Sequence, residues 1–463
     1  QTHHMAPMRP PCQDGVIISD GHLYWGPWMC GCQLSLYGHV CLTPAGDFNF
    51  RPGLDPSRLE KAADPRPVQP FAVQAGDWLT YQGDNERSAK TTVTIPPRVS
   101  RRWSFSVPAN GFPTAPIAAG GMVFFGDRNG VLRAVDAAGG QLKWEAYTGG
   151  AIYLPPAMEN GRLFVGSADG RVYAFEAATG RPLWTFRAAP VDRWIPVYGE
   201  LMSAWPVAGG VLVRDGVVYA AAGISHFDGT HVYALDAATG RVKWYNDTSG
   251  TTSEEVDHGV SLQGELYLLG DELRFLGGGV HEEARYDLAT GKCLNEPVNQ
   301  PASMFHTAFY AYYPDYGRYT SLDSTLSNGR SLCYDCSYEG SWQSNLMLLP
   351  PPAPGAQRPA KPLSRWGLQW RRGQKLETVW QQQAPRRFNS FIVGPDRLLA
   401  AGHTGDAAGG SSFLAAVQLD TGADVWLQEL PGPVVKGGTA IDYQRRIYVS
   451  LENGKVLAFA TQE

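Results

Sequence analysis

The chain contains four segments in which a glycine is followed, four residues later, by a tryptophan that ends a strand-like run. A fifth segment keeps the turn but has Asn295 at the tryptophan position. The shared interval argues against unrelated hairpins, and a repeat recurring at about 40 residues or more indicates units of a few short strands. The copies are HVYALDAATGRVKW (Gly240, Trp244), RVYAFEAATGRPLW (Gly180, Trp184), VLRAVDAAGGQLKW (Gly140, Trp144), FLAAVQLDTGADVW (Gly422, Trp426) and ARYDLATGKCLN (Gly291, Asn295).

Each part of the repeated phrase has a physical role. Alternating apolar residues in VYALD predict a strand with one buried face. The Asp236 carboxylate can accept hydrogen bonds from the backbone of the turn, and Gly240 suits a position with positive φ. We expect the tryptophan ring to lie across the interface between neighbouring units. Small residues such as Ala174 and Ala234 leave room for that ring.

Units of four short strands around a common axis form a β-propeller, so we predict an all-β chain with this fold. The unit ends predict seven blades, closing respectively at Trp144, Trp184, Trp244, Asn295, Trp380, Trp426 and the C-terminal segment. Eight blades is the alternative, because the stretch from Val298 to Trp380 is long enough to contain one more.

The two ends of the propeller region complement each other. The segment RRWSFSV around Trp103 is typical of an outermost strand whose own blade has not yet begun. The last 27 residues, GGTAIDYQRRIYVSLENGKVLAFATQE, supply three strands and no final tryptophan. We therefore expect the strand at Trp103 to complete the last blade and to close the ring, which removes exposed edges. Residues 74–463 would form the propeller, and residues 1–73 a cysteine-rich segment with a proline-bearing linker, interpreted as the tail of a preceding unit.

The phrase resembles the repeat of the PQQ-like propeller family, which includes quinoprotein alcohol dehydrogenases and the propeller lipoprotein of outer-membrane assembly. Longer stretches, such as DWLTYQGDNERSA and LYWGPWMCGCQLSLYG, resemble large propeller proteins of planctomycete-type bacteria. Quinoprotein dehydrogenases hold their quinone under a disulfide between adjacent cysteines. This sequence has no adjacent cysteine pair, so we predict no cofactor, and PQQ binding is not favoured.

Composition and net charge limit the classes of function that this chain can have. The 463 residues carry a net charge of −5 with interspersed signs, which disfavours nucleic acid as a partner. No apolar run is long enough to span a membrane. The resemblance and the cysteines together predict an extracytoplasmic protein, either periplasmic or secreted. The chain opens without a signal peptide or an initiator methionine, which suggests a processed product or part of a longer protein.

Seven cysteines allow two interpretations. Disulfides are favoured, involving Cys12, Cys30, Cys32 and Cys41 in unspecified pairs, and Cys333 with Cys336 or with Cys293. The alternative is a soft-metal site formed by Cys30, Cys32, Cys41 and His39. Calcium is also left open, and no metal ligand is assigned.

Two aromatic clusters are candidate binding surfaces. The segment MFHTAFYAYYPDYGRY suits a protein interface or stacking on sugar rings, although packing onto the propeller would explain it equally well. The second cluster surrounds Trp194 and Trp205 and includes the projecting loop ISHFDGTH. The binding candidates are Trp194, Trp205, His226, Asp228, Phe305, His306, Tyr310, Tyr312, Tyr313 and Arg318.

The sequence thus predicts a binding scaffold that holds a protein or a carbohydrate on an aromatic-rich face. One alternative is a polysaccharide lyase or hydrolase, in which His258, Tyr310 and Arg318 would be the catalytic candidates because propeller lyases use a His, a Tyr and a neutralising Arg. The other is a quinoprotein-like oxidoreductase with a degenerate cofactor site. No nucleophile elbow or phosphate-binding loop supports a further enzyme class.

Overall fold

The computed structural model describes residues 15–26, 39–42, 53–108, 111–197, 199–224, 229–250, 258–277, 281, 283–297, 322–334, 346–352, 377–382, 385–405 and 410–462. Over these residues the protein is all-β, and its helical content is the single 3-10 turn Pro56–Arg58. None of them forms a helix of the length and hydrophobicity that a bilayer crossing requires.

The strands of the first half form an N-terminal sheet, a hairpin and three sheets that follow one another in chain order. The N-terminal sheet contains β1 (Ile17–Ser19), β2 (His22–Trp25) and β3 (Val40–Leu42). Sheet one contains β6 (Ile117–Ala119), β7 (Met122–Phe125), β8 (Val131–Asp136) and β9 (Leu142–Tyr147). Sheet two contains β10 (Ala157–Glu159), β11 (Arg162–Gly166), β12 (Arg171–Glu176), β13 (Pro182–Arg187) and, at its edge, β4 (Leu59–Lys61). The hairpin β14 (Trp194–Val197) and β15 (Glu200–Ser203) precedes sheet three, which contains β16 (Val211–Arg214), β17 (Val217–Ala222), β18 (His231–Asp236) and β19 (Val242–Asn246).

The remaining strands form four more sheets. Sheet four contains β20 (Tyr267–Leu269), β21 (Glu272–Leu276) and β22 (Glu283–Asp287). Sheet five contains β23 (Leu322–Thr325), β24 (Ser331–Tyr334), β25 (Met347–Leu349) and β26 (Trp380–Gln381). Sheet six contains β27 (Arg386–Val393), β28 (Arg397–Thr404), β29 (Ser412–Gln418) and β30 (Asp424–Leu430). Sheet seven contains β31 (Val434–Ile441), β32 (Ile447–Leu451), β33 (Lys455–Thr461) and β5 (Val99–Ser106).

The predicted pairing between the two ends of the propeller region is confirmed. Strand β5 pairs antiparallel with β33, and Trp103 lies opposite Ala458. Both the early strand and the last three strands of the chain therefore belong to one sheet.

The tryptophans make the contact that the repeat predicts. Each indole Nε1 donates to a backbone carbonyl beside the turn of another repeat, while an alanine of the same sheet, such as Ala174 opposite Trp184, faces the ring. The donor–acceptor pairs are Trp103 to Ala137 (3.1 Å), Trp144 to Ala177 (3.1 Å), Trp184 to Ala237 (3.1 Å), Trp244 to Leu288 (3.0 Å) and Trp380 to Leu419 (2.7 Å). Trp426 donates to Pro96 at 2.8 Å.

Gly240 shows why the turn needs glycine. Its φ is +72°, which side chains rarely adopt, and a β-carbon at this position would lie 2.8 Å from the Trp184 ring. Asp236 accepts from the Thr239 backbone at 2.9 Å and from its hydroxyl at 2.7 Å, as the turn chemistry predicts.

Residues 53–71 have a different role from the linker that the sequence predicts. Strand β4 pairs with β13 and becomes the fifth strand of sheet two. The backbone N–H of Gln69 donates to Glu176 at 2.7 Å, and Arg181 donates to the carbonyl of Asp64 at 3.2 Å. This segment is therefore part of the packed structure and covers a sheet edge.

The chain packs as two compact units. The first contains residues 1–71, 126–133 and 144–314, and a core in which Phe164, Trp184, Trp205 and Tyr233 are buried. The second contains residues 72–125, 134–143 and 315–463, and a core around Trp78, Ile95, Phe125 and Tyr448.

Candidate functional site

Three connections of the first unit lie at one end of sheet three. In an antiparallel sheet, the link between the second and third strands and the exit from the fourth strand lie at the same end. Residues 188–210 lead into sheet three, residues 223–230 join β17 to β18, and residues 247–266 follow β19. At the opposite end, Asp215 and Gly216 alone join β16 to β17. Long loops on a rigid sheet are where binding residues concentrate, so this end of sheet three is the candidate site.

The hairpin β14–β15 presents an apolar face to solvent. Pro196 lies opposite Leu201, and Trp194 is two residues before Pro196 on the same face. The exposed fraction is 43% for Trp194 and 66% for Leu201, and Pro196 is also exposed. The candidate Trp194 is thus placed where a ligand or partner can reach it.

Trp205 occupies a different environment from the one expected of a binding residue. It is fully buried, and its ring packs edge-on against His231 with a centroid separation of 6.4 Å. Its backbone N–H donates to Ser203 Oγ at 3.1 Å, directly after the hairpin. A ring without exposed surface cannot contact an external ligand, so the binding assignment of Trp205 is corrected to that of a core residue of the first unit.

At the same end of sheet three, buried and half-buried side chains form a hydrogen-bonded chain. Tyr245 donates to Asp247 at 2.9 Å, and its hydroxyl lies 3.2 Å from Nδ1 of His231. The Tyr245 ring stacks on Tyr233 at 4.9 Å, and the Tyr233 hydroxyl donates to the carbonyl of Ala188 at 2.7 Å. These contacts connect β18 and β19 to the connection that carries the hairpin.

Burial controls the ionisation of both tyrosines. Desolvation raises the pKa of Tyr233 and that of Tyr245 above the ordinary value of 10.0. For Tyr245, the neighbouring Tyr233 and Asp247 raise the pKa further. Both phenols therefore stay protonated at neutral pH and serve as hydrogen-bond donors; neither suits a general base.

Arg58 completes this cluster and was missed by the sequence reasoning. It is buried, and it donates to the Tyr233 hydroxyl at 3.2 Å and to the carbonyl of Pro190 at 3.0 Å. The preceding Asp55 caps the 3-10 turn by accepting from the backbone of Ser57 at 2.8 Å. The capping signal Asp-Pro-Ser could have identified the turn, but the distant partner Tyr233 has no local signal.

The proposed catalytic set is only partly described. Nδ1 of His258 lies 3.3 Å from the carbonyl of Thr248, after β19. Its neighbour His281 has a pKa lowered by burial, an effect that hydrogen bonding to the backbone of His258 and Glu296 opposes. Tyr310 and Arg318 lie outside the described residues, as do the binding candidates His226, Asp228, Phe305, His306, Tyr312 and Tyr313.

The cysteine predictions stay predictions. Cys41 is exposed on β3, while Cys293 and Cys333 are buried. Burial raises the pKa of the Cys293 thiol to about 11, and its Sγ lies 3.7 Å from Asn295 Oδ1. The suggested partners Cys12, Cys30, Cys32 and Cys336 lie outside the described ranges.

Where the structure describes side chains, no group of three or more His, Cys, Asp or Glu residues is arranged to hold a metal ion.

Comparisons with known proteins support the repeat. Residues 96–325 match the family model described as outer membrane protein assembly factor BamB. The dehydrogenase subunit of the quinone alcohol dehydrogenase of Acetobacter aceti is 30% identical over 168 residues, which cover 33% of this chain and 21% of that protein. BamB of Burkholderia pseudomallei is 26% identical over 217 residues, covering 38% of this chain and 53% of that protein.

A comparison with a solved structure of another protein supports the propeller fold. The quinohemoprotein alcohol dehydrogenase ADHIIG of Pseudomonas putida matches with a TM-score of 0.51 and 15% identity, covering 84% of this chain and 82% of that chain. The likeness supports an all-β propeller fold. In contrast, the sequence matches span about a fifth and about half of the two curated relatives.

Proposed function

We propose that this chain is an extracytoplasmic seven-bladed β-propeller that holds a partner protein on the exposed face of the hairpin β14–β15. Sheets one to seven would be the blades, and β5 would close the ring by completing sheet seven. The observation that carries the proposal is the exposed apolar face that Trp194, Pro196 and Leu201 form on this hairpin. Exposed tryptophans in such a setting are typical of protein interfaces.

The backbone of the hairpin favours recognition by side chains. The N–H of Ala204 donates to the carbonyl of Arg193 at 2.9 Å, so these two residues form a hydrogen-bonded pair of the hairpin. Hydrogen-bonded and non-hydrogen-bonded pairs alternate along an antiparallel hairpin. The backbone groups of the Trp194–Ser203 and Pro196–Leu201 pairs therefore point outward, away from the other strand of the hairpin. Pro196 has no N–H, and the N–H of Ser203 already donates to the carbonyl of Ala168 at 2.7 Å. Each edge therefore has one position that cannot donate to an added strand, which disfavours strand addition and favours packing on the apolar face.

The cluster of Arg58, Tyr233 and Tyr245 supports a platform more than an enzyme. It ties β18 and β19 to the connection that leads to the hairpin, and an ordered connection lowers the entropy that binding must offset. The lyase or hydrolase alternative rests on His258, Tyr310 and Arg318 and stays a prediction. Its simplest test is His258→Ala, which would abolish cleavage of a polysaccharide if the alternative holds.

The names of the relatives agree with a scaffold role outside the cytoplasm. One group is named as an assembly factor of outer membrane proteins, and the chain shares its repeat. The proposed disulfides suit the same compartment, since oxidising conditions preserve them. The other group is named as quinone alcohol dehydrogenases, which keeps an oxidoreductase as the competing outcome.

The test is site-specific photo-crosslinking in the producing organism. A photoreactive phenylalanine analogue at Leu201 should give a discrete protein adduct, and the same analogue at the exposed Tyr443, in the second unit, is the matched control. Trp194→Glu should abolish the Leu201 adduct while leaving the unfolding temperature unchanged. Equal adducts at both positions, or none at Leu201, would overturn the proposal. Dye reduction by an alcohol after loading with PQQ and Ca²⁺ would favour the dehydrogenase instead.

A further inference from the structure

Strand β4 shows that the outer edge of a sheet in this protein can accept a further strand. It pairs with β13, the fourth strand of sheet two, and the N–H of Ala62 donates to the carbonyl of Leu183 at 3.0 Å. Leu59 of β4 packs against the core that contains Trp184. Trp184 is buried, whereas the tryptophans at the same position of the other sheets are only half-buried.

Sheet six is built in the same way as sheet two up to the point at which β4 is added. In both sheets an alanine lies opposite the tryptophan of the outer strand, and the register shifts directly after that pair. The two pairs are Ala174–Trp184 and Ala416–Trp426. The residues on either side of the tryptophan therefore have the same place in both outer strands. Val425 of β30 corresponds to Leu183 of β13, and Leu427 corresponds to Thr185.

The pairing of β13 with β4 also indicates which backbone groups of β30 point outward. Since the Leu183 carbonyl accepts from β4, alternation makes Thr185 and Glu60 a hydrogen-bonded pair. Leu427 has the place of Thr185, so its N–H and C=O point to the outer edge of sheet six. The same holds for Glu429, two residues further along β30.

The residue before the tryptophan differs between the covered edge and the bare edges. In sheet two, where β4 covers the edge, this residue is the apolar Leu183. In sheets one, three and seven the tryptophan strand is the last strand of its sheet over the described residues, and the residue before the tryptophan is basic. Charged side chains on an edge strand hinder pairing with a further strand. The basic residues are Lys143, Lys243 and Arg102.

Sheet six has the apolar residue, yet within the described ranges no strand covers it. Val425 is 37% and Leu427 is 46% exposed, and β30 is the last strand in the order of its sheet. The seven residues of β30 include no lysine, arginine or proline. Val379 in sheet five is also apolar and exposed, but β26 has only two residues, fewer than a stable pairing needs. Strand β30 thus resembles the covered edge and lacks the obstacle of the bare edges.

The charges on β30 indicate what kind of strand fits this edge. Asp424 is neutralised by Arg386, which donates to its two carboxylate oxygens at 2.7 and 2.5 Å. Glu429 is exposed and lies on the same face as Leu427. An added strand therefore meets an apolar side chain and, two residues away, a carboxylate. Pairing β30 with a second copy of itself would bring in another Glu429 and no basic residue of the strand, which disfavours self-association.

We propose that the outer edge of β30 binds an extended segment of a partner protein as a fifth strand of sheet six. The segment has an apolar residue opposite Leu427 and a lysine or arginine opposite Glu429. Main-chain hydrogen bonds supply the affinity in this mode of recognition, and the alternating side chains supply the specificity. This surface goes beyond the proposed function and is independent of the hairpin interface at Trp194.

Hydrogen–deuterium exchange at the resolution of single amides tests the inference. The probe is a capped peptide that repeats Lys-Thr-Val-Thr, and the control peptide has glutamate in place of lysine. The lysine peptide should slow the exchange of the Leu427 and Glu429 amides severalfold, because they point outward. The Gln428 amide should not change, since it already bonds to β29. A partner that contacted side chains alone would not produce this alternating pattern.

A matched pair of variants supplies the second readout. Val425→Lys gives β30 the basic residue of the bare edges and should abolish the protection, whereas Val425→Thr keeps the branched side chain and should retain it. Both variants should leave the unfolding temperature nearly unchanged, because the side chain is partly exposed.

Three results would overturn the proposal: equal protection by the glutamate peptide, protection that survives Val425→Lys, or no protection by either peptide. Protection that rises with the concentration of the chain alone would assign the edge to a second copy and would overturn it as well. A missing photo-adduct at Leu201 would affect only the proposed function.

Discussion

Sheets three and four are adjacent in the chain but differ at the position that ends the repeat. Sheet three ends with Trp244, whose indole donates to the carbonyl of Leu288 in sheet four. In sheet four the corresponding residue is Asn295, whose amide donates to the carbonyl of Glu283 at 2.8 Å and accepts from the backbone of Arg285 at 2.8 Å. The tryptophan forms its hydrogen bond with another sheet, and the asparagine forms both of its bonds within its own sheet.

The difference shows what the tryptophan contributes to the contact between neighbouring sheets. A four-residue interval after glycine places a side chain at the outer edge of the sheet in both cases. An indole at this edge is long enough to reach the next repeat and buries a large apolar area there. An asparagine is too short, and it instead satisfies backbone groups that an incomplete fourth strand leaves unpaired, since Tyr286 and Cys293 form only an isolated bridge.

The largest expected effect comes from removing an inter-sheet indole. Trp184 is almost fully buried and packs against Gly240 and Leu59. Trp184→Ala should lower the free energy of unfolding by about 3–5 kcal/mol, as for other buried aromatics. Urea denaturation measures the change, and Trp194→Ala on the exposed hairpin is the control, with an expected change within about 0.5 kcal/mol. Equal losses in both variants would contradict the role of the indole.

The second prediction separates two costs of replacing a turn glycine: backbone strain and a clash with the tryptophan ring. Gly240→Ala should destabilise by about 2 kcal/mol or more, because the residue has positive φ and its β-carbon would meet Trp184. Gly216 has nearly the same φ, +73°, with no atom within 4 Å of the added β-carbon. Gly216→Ala should therefore cost only the strain, about 1 kcal/mol. If the two variants lose the same stability in thermal unfolding, the ring contact contributes nothing.

The third prediction concerns how the free energy of unfolding depends on pH through Tyr233, at the loop end of sheet three. Burial raises the pKa of Tyr233 above 10.0, so the folded protein keeps this proton while the unfolded chain releases it near pH 10. Stability is then unaffected below pH 10 and falls as the pH rises further, by up to about 1.4 kcal/mol per pH unit. Tyr233→Phe should lower stability at neutral pH but flatten this alkaline decline, as urea titrations from pH 9 to 11.5 would show. An unchanged slope would exclude Tyr233 as its source.

The smallest effect is expected at Asn295. Asn295→Ala should lower the free energy of unfolding by about 1 kcal/mol, the typical value for lost hydrogen bonds of a partly exposed group. Asn295→Asp keeps the acceptor for Arg285 but turns a carboxylate oxygen toward the carbonyl of Glu283, so it should destabilise at least as much as the alanine variant. A loss comparable to that of Trp184→Ala would show that Asn295 also contributes to packing between sheets.

Local patterns predicted much of this molecule. The shared interval in the repeats predicted the sheets that end at Trp184 and Trp244 and the indole contacts between them. The incomplete last repeat predicted that the strand at Trp103 pairs with the C-terminal strands, which β5 and β33 confirm. Each of these inferences depends on spacing along the chain, which the regular geometry of strands translates directly into position.

Other features escaped prediction because they depend on residues far apart in the sequence. Trp194 and Trp205 lie in one aromatic cluster of the sequence, yet one is exposed and the other is fully buried. Arg58 contacts Tyr233, 175 residues away, in a segment that reads as a linker. Alternation within the sequence cannot report which surfaces another segment will cover.

The sequence by itself determined the repeating unit, its turn chemistry and the residue types that join one unit to the next, because these follow from short-range stereochemistry. Only the tertiary structure decided that residues 53–71 complete sheet two, that the hairpin of Trp194 faces solvent, and that Tyr233, Tyr245 and Arg58 come together in one cluster. The physical reason is that burial and hydrogen-bond pairing are properties of the assembled surfaces, and the same side chain has either role according to what packs against it.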